Sequence, residues 1–117
     1  MRNHKDLIVW QKSMEHVLTL YELTKTFPKE ETFGIVNQMR RSAVSIPSNI
    51  AEGYGRIFEK ETVKFLSNAL GSASELETQL IISKDLGYAA PDKLQTLLKQ
   101  NEEIIKMLSS LIKSFCK

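Results

Sequence analysis

The sequence predicts an all-α protein: an up-down-up-down antiparallel four-helix bundle with a proline-kinked second helix. Three observations lead there. Four segments repeat apolar residues at helical spacing, and none alternates with the period of two expected of a strand. The connections between them are short, which favours antiparallel neighbours. Residues 38–56, QMRRSAVSIPSNIAEGYGR, read as helix on both sides of a proline. Proline lacks the backbone donor, and its ring clashes with the carbonyl four residues back, here Ala43, at a cost of about 3 kcal/mol in a helix interior. One domain over residues 1–117 fits this length, which suffices to bury a core without disulfides or metals.

The first helix is expected over residues 7–26. Trp10, Met14, Val17 and Tyr21 recur at spacings of four, three and four, and Val9, Leu20, Leu23 and Phe27 widen the apolar face. Pro28 ends it by pushing the preceding residue out of helical geometry. The second helix is expected to start near residues 29–31, where acidic side chains suit a helix N-terminus. Phe33, Val36, Met39, Ala43, Ile46, Ile50 and Tyr54 form its apolar side, and Gly53 and Gly55 mark its end with a left-handed closing residue.

The third helix, residues 59–86, carries the seam Leu66, Ala69, Ala73, Leu76 and Leu80 before Gly87 caps it. Ser67, Ala69, Gly71, Ser72, Ala73 and Ser74 make it rich in small residues. A glycine inside a helix costs about 1 kcal/mol, so this cluster suggests close approach of another helix. Pro91-Asp92 opens the fourth helix, to residue 115. Leu97, Asn101, Ile104, Leu108, Leu111 and Phe115 form its seam, flanked by Leu98, Ile105 and Ile112. Asn101 either fixes register or subunit number from within the seam or sits hydrated at an edge.

Charge and composition exclude several functions. The net charge of +2 is small, and its distribution is uneven. Residues 58–87 hold three lysines against five acidic residues, and residues 88–117 hold five lysines against three. Neither is the dense basic face of a dedicated duplex binder. The lone Cys116 cannot form an intramolecular disulfide. No signal peptide precedes the first helix, and no apolar run approaches the roughly 20 residues that span a bilayer, so the expected location is cytoplasmic, with no membrane.

An enzyme is hard to assemble from these residues. His4 and His16 are the only histidines, and no Glu-x-x-His pair, zinc spacing, phosphate-binding glycine loop or nucleophile elbow is present. No cofactor or metal is expected. Glu75 and Glu77, two apart on a helix, diverge. On the second helix, Arg41, Ser45, Ser48, Asn49, Glu52 and Arg56 fall within an arc of about 100° opposite the apolar side. Serine and asparagine are poor helix formers, and a free surface would tolerate Glu, Lys and Gln better. The stripe therefore reads first as a structural polar network around Pro47, made by Ser45, Ser48, Asn49 and Glu52, and second as a ligand contact.

Several stretches together resemble the four-helix-bundle family encoded in intervening sequences of bacterial 23S ribosomal RNA genes. Asp6-Leu7 through Trp10-Gln11-Lys12 is similar to its D-L-x-V-W-Q-K opening, and Phe27-Pro28 with Glu31 and Phe33-Gly34 to its F-P-x-x-E-x-[FY]-G turn. Gln38 to Ala43, Ser45 to Gly53, and Arg56 resemble the central signature; Phe65-Leu66, Ala69, Gly71-Ser72 and Glu75-Leu76-Glu77 resemble its third helix. Ile57-Phe58 departs from the family, whose members often place a capping serine or threonine there. The resemblance implies a cytoplasmic, non-enzymatic bundle that assembles with itself as a homopentamer. It also implies kinship with the accessory protein of diversity-generating retroelements, which binds nucleic acid and partners a reverse transcriptase.

Two functions follow as expectations. The first is an oligomeric nucleic-acid-binding or RNA-associated adaptor, contacting RNA or DNA through Arg40, Arg41 and Arg56, with Lys12, Lys60 and Lys64 as outlying phosphate contacts. The alternative is a structural or protein-interaction module with no nucleic-acid role, partnering another protein from its locus.

Overall fold

The computed structural model describes residues 3–116. A 3-10 turn at His4–Asp6 leads into α1 (Ile8–Thr24), a second 3-10 turn at Lys29–Glu31 precedes α2 (Ile35–Tyr54), and α3 (Glu59–Asp85) and α4 (Pro91–Phe115) complete the fold. Among the described residues there is no strand. The molecule measures 44 × 22 × 20 Å. Each helix packs on the next, and α1 also meets α4; the α2–α3 seam is the most extensive and the α1–α4 seam the least.

The core is a set of seams at alternating three and four spacing. Leu66, Ala69, Ala73, Leu76 and Leu80 of α3 are buried, as are Leu94, Leu97, Asn101, Ile104 and Leu108 of α4. From α2 come Val36, Met39, Ala43, Ile46 and Ile50. On α1 the centre of the buried face differs from the expected one. Trp10, Val17 and Tyr21 are half-buried and Met14 is exposed, while Val9, Ser13, His16, Leu20 and Leu23 point inward. The polar Ser13 and His16 occupy two positions of that seam, which disguises it in a hydrophobic pattern.

Three further expectations are corrected. The α2 helix begins at Ile35, not near residue 30: Lys29–Glu31 forms only a 3-10 turn that closes at Thr32, and Gly34 is the residue before α2. Phe33 therefore lies outside the helix and is 93% exposed rather than part of the apolar face. Gly55 closes α2 with φ −83°, so no left-handed residue ends this helix. Gly53 serves a different purpose. A Cβ there would lie 3.0 Å from both the Thr62 carbonyl and the Phe65 Cβ, and Thr62 Oγ1 donates to the Gly53 carbonyl at 2.8 Å. Glycine thus lets the start of α3 press against the last turn of α2. The small-residue cluster of α3 is not uniformly such a contact: Ala69 and Ala73 are buried, but a Cβ on exposed Gly71 would meet nothing within 4 Å. Gly87, with φ +70°, does close α3 in the left-handed region.

The α2 helix continues without a chain break through Pro47, which is buried and has no N–H for the Ala43 carbonyl. Phe58 precedes α3 without a side-chain cap, as the departure at Ile57-Phe58 led one to expect.

Candidate functional site

Two polar clusters stand out against the apolar seams. One is wholly internal. His16 of α1 is 2% exposed and Asn101 of α4 fully buried. Asn101 Nδ2 donates to the Ala73 carbonyl of α3 at 2.8 Å, which turns its Oδ1 toward His16 Nε2 at 3.0 Å. The Nε2–H therefore donates, and Nδ1 keeps its lone pair, buried with no partner among the described residues. Burial holds the imidazole below its ordinary pKa, opposed in part by the side chains of Asn101 and Gln100. This cluster ties three helices together at mid-bundle, and Asn101 sits buried in the seam rather than hydrated at an edge.

The other cluster lies between α2 and α3. Gln38, Arg41, Ser42 and Ser45, spaced three and four apart, face Ser72, Glu75 and Gln79 across a cavity of about 360 Å³. Ser42 Oγ donates to Glu75 Oε1 at 2.9 Å. Asn49 Nδ2 donates to both the Ser45 carbonyl (2.8 Å) and Ser45 Oγ (2.9 Å), leaving the Ser45 hydroxyl proton for Ser72 Oγ at 2.8 Å. Arg41 is exposed, and its side chain makes no hydrogen bond or ion pair with any described residue. Gln79, 7% exposed, has its amide oxygen buried and unpartnered among the described residues.

The remaining candidate residues are placed as follows. Arg40 reaches back to α1: its Nε donates to Thr24 Oγ1 at 3.0 Å, an Nη donates to the Tyr21 carbonyl at 3.3 Å, and the guanidinium lies 4.4 Å over the Tyr21 ring. It caps the C-terminal end of α1, where the helix dipole favours a cation. Arg56 pairs with Glu52 at 2.9 Å and Glu61 at 3.7 Å, above the Phe65 ring. Lys12 pairs with Glu103 at 2.9 Å, which raises its pKa. Lys60 and Lys64 are exposed and make no ion pair with a described residue. Ser48 turns to the other side of α2, where it lines a groove of about 410 Å³ with Trp10, Met14, Val44 and Pro47.

Ser42, Ser72, Glu75 and Gln79 carry no site signal as single residues. Their signal is the matching three-and-four spacing of polar groups on two helices that pack together, which requires knowing that α2 and α3 face each other. Among the described residues no group of histidine, cysteine and carboxylate side chains could hold a metal, and no helix is long and apolar enough to cross a membrane.

Comparison with known proteins agrees with this architecture. The family described as 23S rRNA-intervening sequence protein matches residues 5–110. The fold is similar to the crystal structure of a protein of unknown function from the S23 ribosomal protein family of Bacteroides thetaiotaomicron. The TM-score is 0.84 at 29% identity, covering 91% of this chain and 96% of that one. No curated protein matches significantly.

Proposed function

The chain belongs to the 23S rRNA-intervening sequence protein family, and from that premise we propose that it is a non-enzymatic, cytoplasmic, homo-oligomeric adaptor for nucleic acid. The observation that carries the oligomer is apolar surface along α1 and α2. Met14, Leu18 and Val44 are exposed beside half-buried Trp10 and Val17, bordering the apolar groove that Ser48 and Pro47 line. Contiguous apolar surface of this kind marks an interaction site. A homopentamer is the assembly we favour, from the family resemblance. Arg41, Lys60 and Lys64 supply the nucleic-acid contacts, since Arg40, Arg56 and Lys12 are engaged within the chain. A ring would repeat this weak per-subunit charge several times over one strand, and avidity would then do what +2 per chain cannot.

Within this reading the helices run up-down-up-down and α2 bends at Pro47. Supporting the topology, Thr62 near the start of α3 bonds Gly53 near the end of α2, and Lys84 at the end of α3 meets Gln95 near the start of α4. Supporting the bend is the missing donor at Pro47; a straight α2 through residues 42–49 in a crystal structure would reject it.

A protein cargo, such as a reverse transcriptase from the same locus, is the second reading. The engagement of Arg40, Arg56 and Lys12 in intramolecular contacts favours it. Sedimentation equilibrium tests assembly: a 13.4 kDa monomer at micromolar concentration rejects the oligomer. Filter binding of RNA and DNA across a salt series tests cargo. Retention that falls steeply with salt, and that Arg41→Ala with Lys64→Ala weakens, supports the adaptor. An intact oligomer that retains neither nucleic acid at low salt leaves the protein-cargo reading.

A further inference from the structure

Resting on the adaptor reading above, we infer that the ring of Phe58 is a stacking platform for one unpaired base, which makes the ligand single-stranded nucleic acid rather than duplex. Phe58 is 66% exposed in the connection between α2 and α3, beside Ile57 at 88%. Its ring makes no contact with another ring or with a cation among the described residues. The neighbouring aromatic side chains are occupied. Tyr54 packs edge-on against Phe115, and the guanidinium of Arg56 covers the Phe65 ring.

A singly exposed phenylalanine is ordinary; this one is set apart by a fixed backbone and by its charged neighbours. Phe58 is the residue before α3, in extended geometry with φ −96° and ψ 133°. Its carbonyl accepts from the N–H groups of Glu61 at 3.0 Å and Thr62 at 3.2 Å. The Thr62 hydroxyl in turn donates to the Gly53 carbonyl of α2. The ring is thus carried on a scaffold that is ordered before a base arrives, and only its own side-chain torsions remain to be fixed on binding.

Lys60 and Lys64 follow, exposed and without an ion pair to any described residue. Four residues apart, they share one face of α3, about 6 Å from each other along its axis, and so suit neighbouring phosphates of one strand. Glu59 and Glu61 occupy the first turn of α3, where they oppose a phosphate at the helix N-terminus. The lysine ammonium groups, on long stems, hold the phosphates out along α3, and the place at the start of the helix falls to a base. Residues 52–64 hold three carboxylates against three cations, and Arg56 already pairs with Glu52 and Glu61. Phosphate contacts alone therefore bind weakly here, and stacking supplies the part of the affinity that salt does not screen. A duplex offers this ring nothing, because its bases are already stacked and paired.

Fluorescence anisotropy of the intact protein with labelled probes of equal length tests this. The probes are oligo(U), oligo(dT), a strand with abasic sites throughout, and a duplex. The expected result is tighter binding of oligo(U) or oligo(dT) than of the abasic strand or the duplex, the RNA and DNA arms deciding which sugar is preferred. Phe58→Ala should weaken oligonucleotide binding about tenfold while leaving the salt slope and the abasic affinity unchanged. Phe58→Leu separates stacking from apolar contact between copies: it should lose affinity as Phe58→Ala does, yet sediment as the wild type. Phe58→Trp should keep the affinity and add an emission, above the baseline of Trp10, that oligonucleotide quenches and the abasic strand does not. Phe33→Ala removes an aromatic ring that is 93% exposed outside α2, and should change nothing. Abasic strand or duplex bound as tightly as the oligonucleotide overturns the stacking proposal and leaves the adaptor reading in place. So does unchanged affinity in Phe58→Ala, an equal loss in Phe33→Ala, or dissociation of the oligomer by Phe58→Leu. Absence of binding to every probe at low salt rejects the adaptor reading itself, and this proposal with it.

Discussion

His16 and Asn101 show how much a single polar residue can determine in an apolar seam. Removing Asn101 alone strands one buried donor, the Nε2–H of His16, while the Ala73 carbonyl, inside α3, keeps its intrahelical partner. Asn101→Leu should therefore lower unfolding stability by about 1–3 kcal/mol for that one orphaned group. His16→Leu with Asn101→Leu should cost less than the sum of the two single changes, because the imidazole demand disappears together with its partner; urea unfolding of all four proteins completes the cycle. The same histidine sets a pH dependence. Its folded pKa is depressed by burial, while the unfolded value is the ordinary one of about 6.5. As pH falls below that value the unfolded chain takes up a proton before the folded one does. Stability from this group is thus complete above about pH 6.5 and is lost as pH falls toward the folded pKa. Urea midpoints should decline over that window, and His16→Gln should flatten the decline; an unchanged slope would assign it to the carboxylates instead.

At the scale of helices, two glycines of similar sequence context should respond in opposite directions. Gly53→Ala gains helix propensity of about 1 kcal/mol. It also places a methyl 3.0 Å from the Thr62 carbonyl and the Phe65 Cβ, and the strain of about 1–3 kcal/mol outweighs the gain. Gly71→Ala meets open space on α3 and should stabilise by about 0.5–1 kcal/mol. Thermal melts of the two variants check the contrast. If both stabilise, the close approach at Gly53 is not a constraint. Arg40→Ala should destabilise by about 1 kcal/mol by uncapping α1 and removing the guanidinium from the Tyr21 ring, with salt-dependent nucleic-acid retention unchanged. A loss of retention without loss of stability would return Arg40 to the set of nucleic-acid contacts.

For the whole molecule, the consequential surface is the apolar one along α1 and α2. Met14→Glu with Leu18→Glu places two charges on that surface without touching the core, since both side chains are exposed. If this face holds the copies together, the variant should sediment as a 13.4 kDa monomer with native helical circular dichroism. An oligomer that survives the change would move the interface to the other exposed apolar residues, Phe33, Ile57 and Phe58 in the connections or Ile81, Ile82 and Leu86 near the end of α3.

The number of helices, the extents of α3 and α4 and most of the core were legible in the sequence. Helical periodicity, Pro28, Gly87 and Pro91 are local signals, and the seams Leu66 to Leu80 and Leu97 to Leu108 obey them residue by residue. The α1 seam was legible only in part: Val9, Leu20, Leu23 and Phe27 carry its apolar signal and are buried, but Ser13 and His16 break the pattern, and His16 is satisfied by a partner on another helix. The α2 start was misplaced for a related reason. Acidic residues at 30 and 31 suit a helix N-terminus, yet they lie in a 3-10 turn that Gly34 separates from α2. The site residues divide along the same line. Side-chain type and helical arc place Arg41, Ser45 and Asn49 on one face. That Arg40 is consumed by α1, that Gly53 is a contact rather than a cap, and that Ser42, Glu75 and Gln79 share a cavity with Arg41 all depend on which helix faces which. Their hydrogen bonds join residues 9 to 33 positions apart, and no local pattern specifies them.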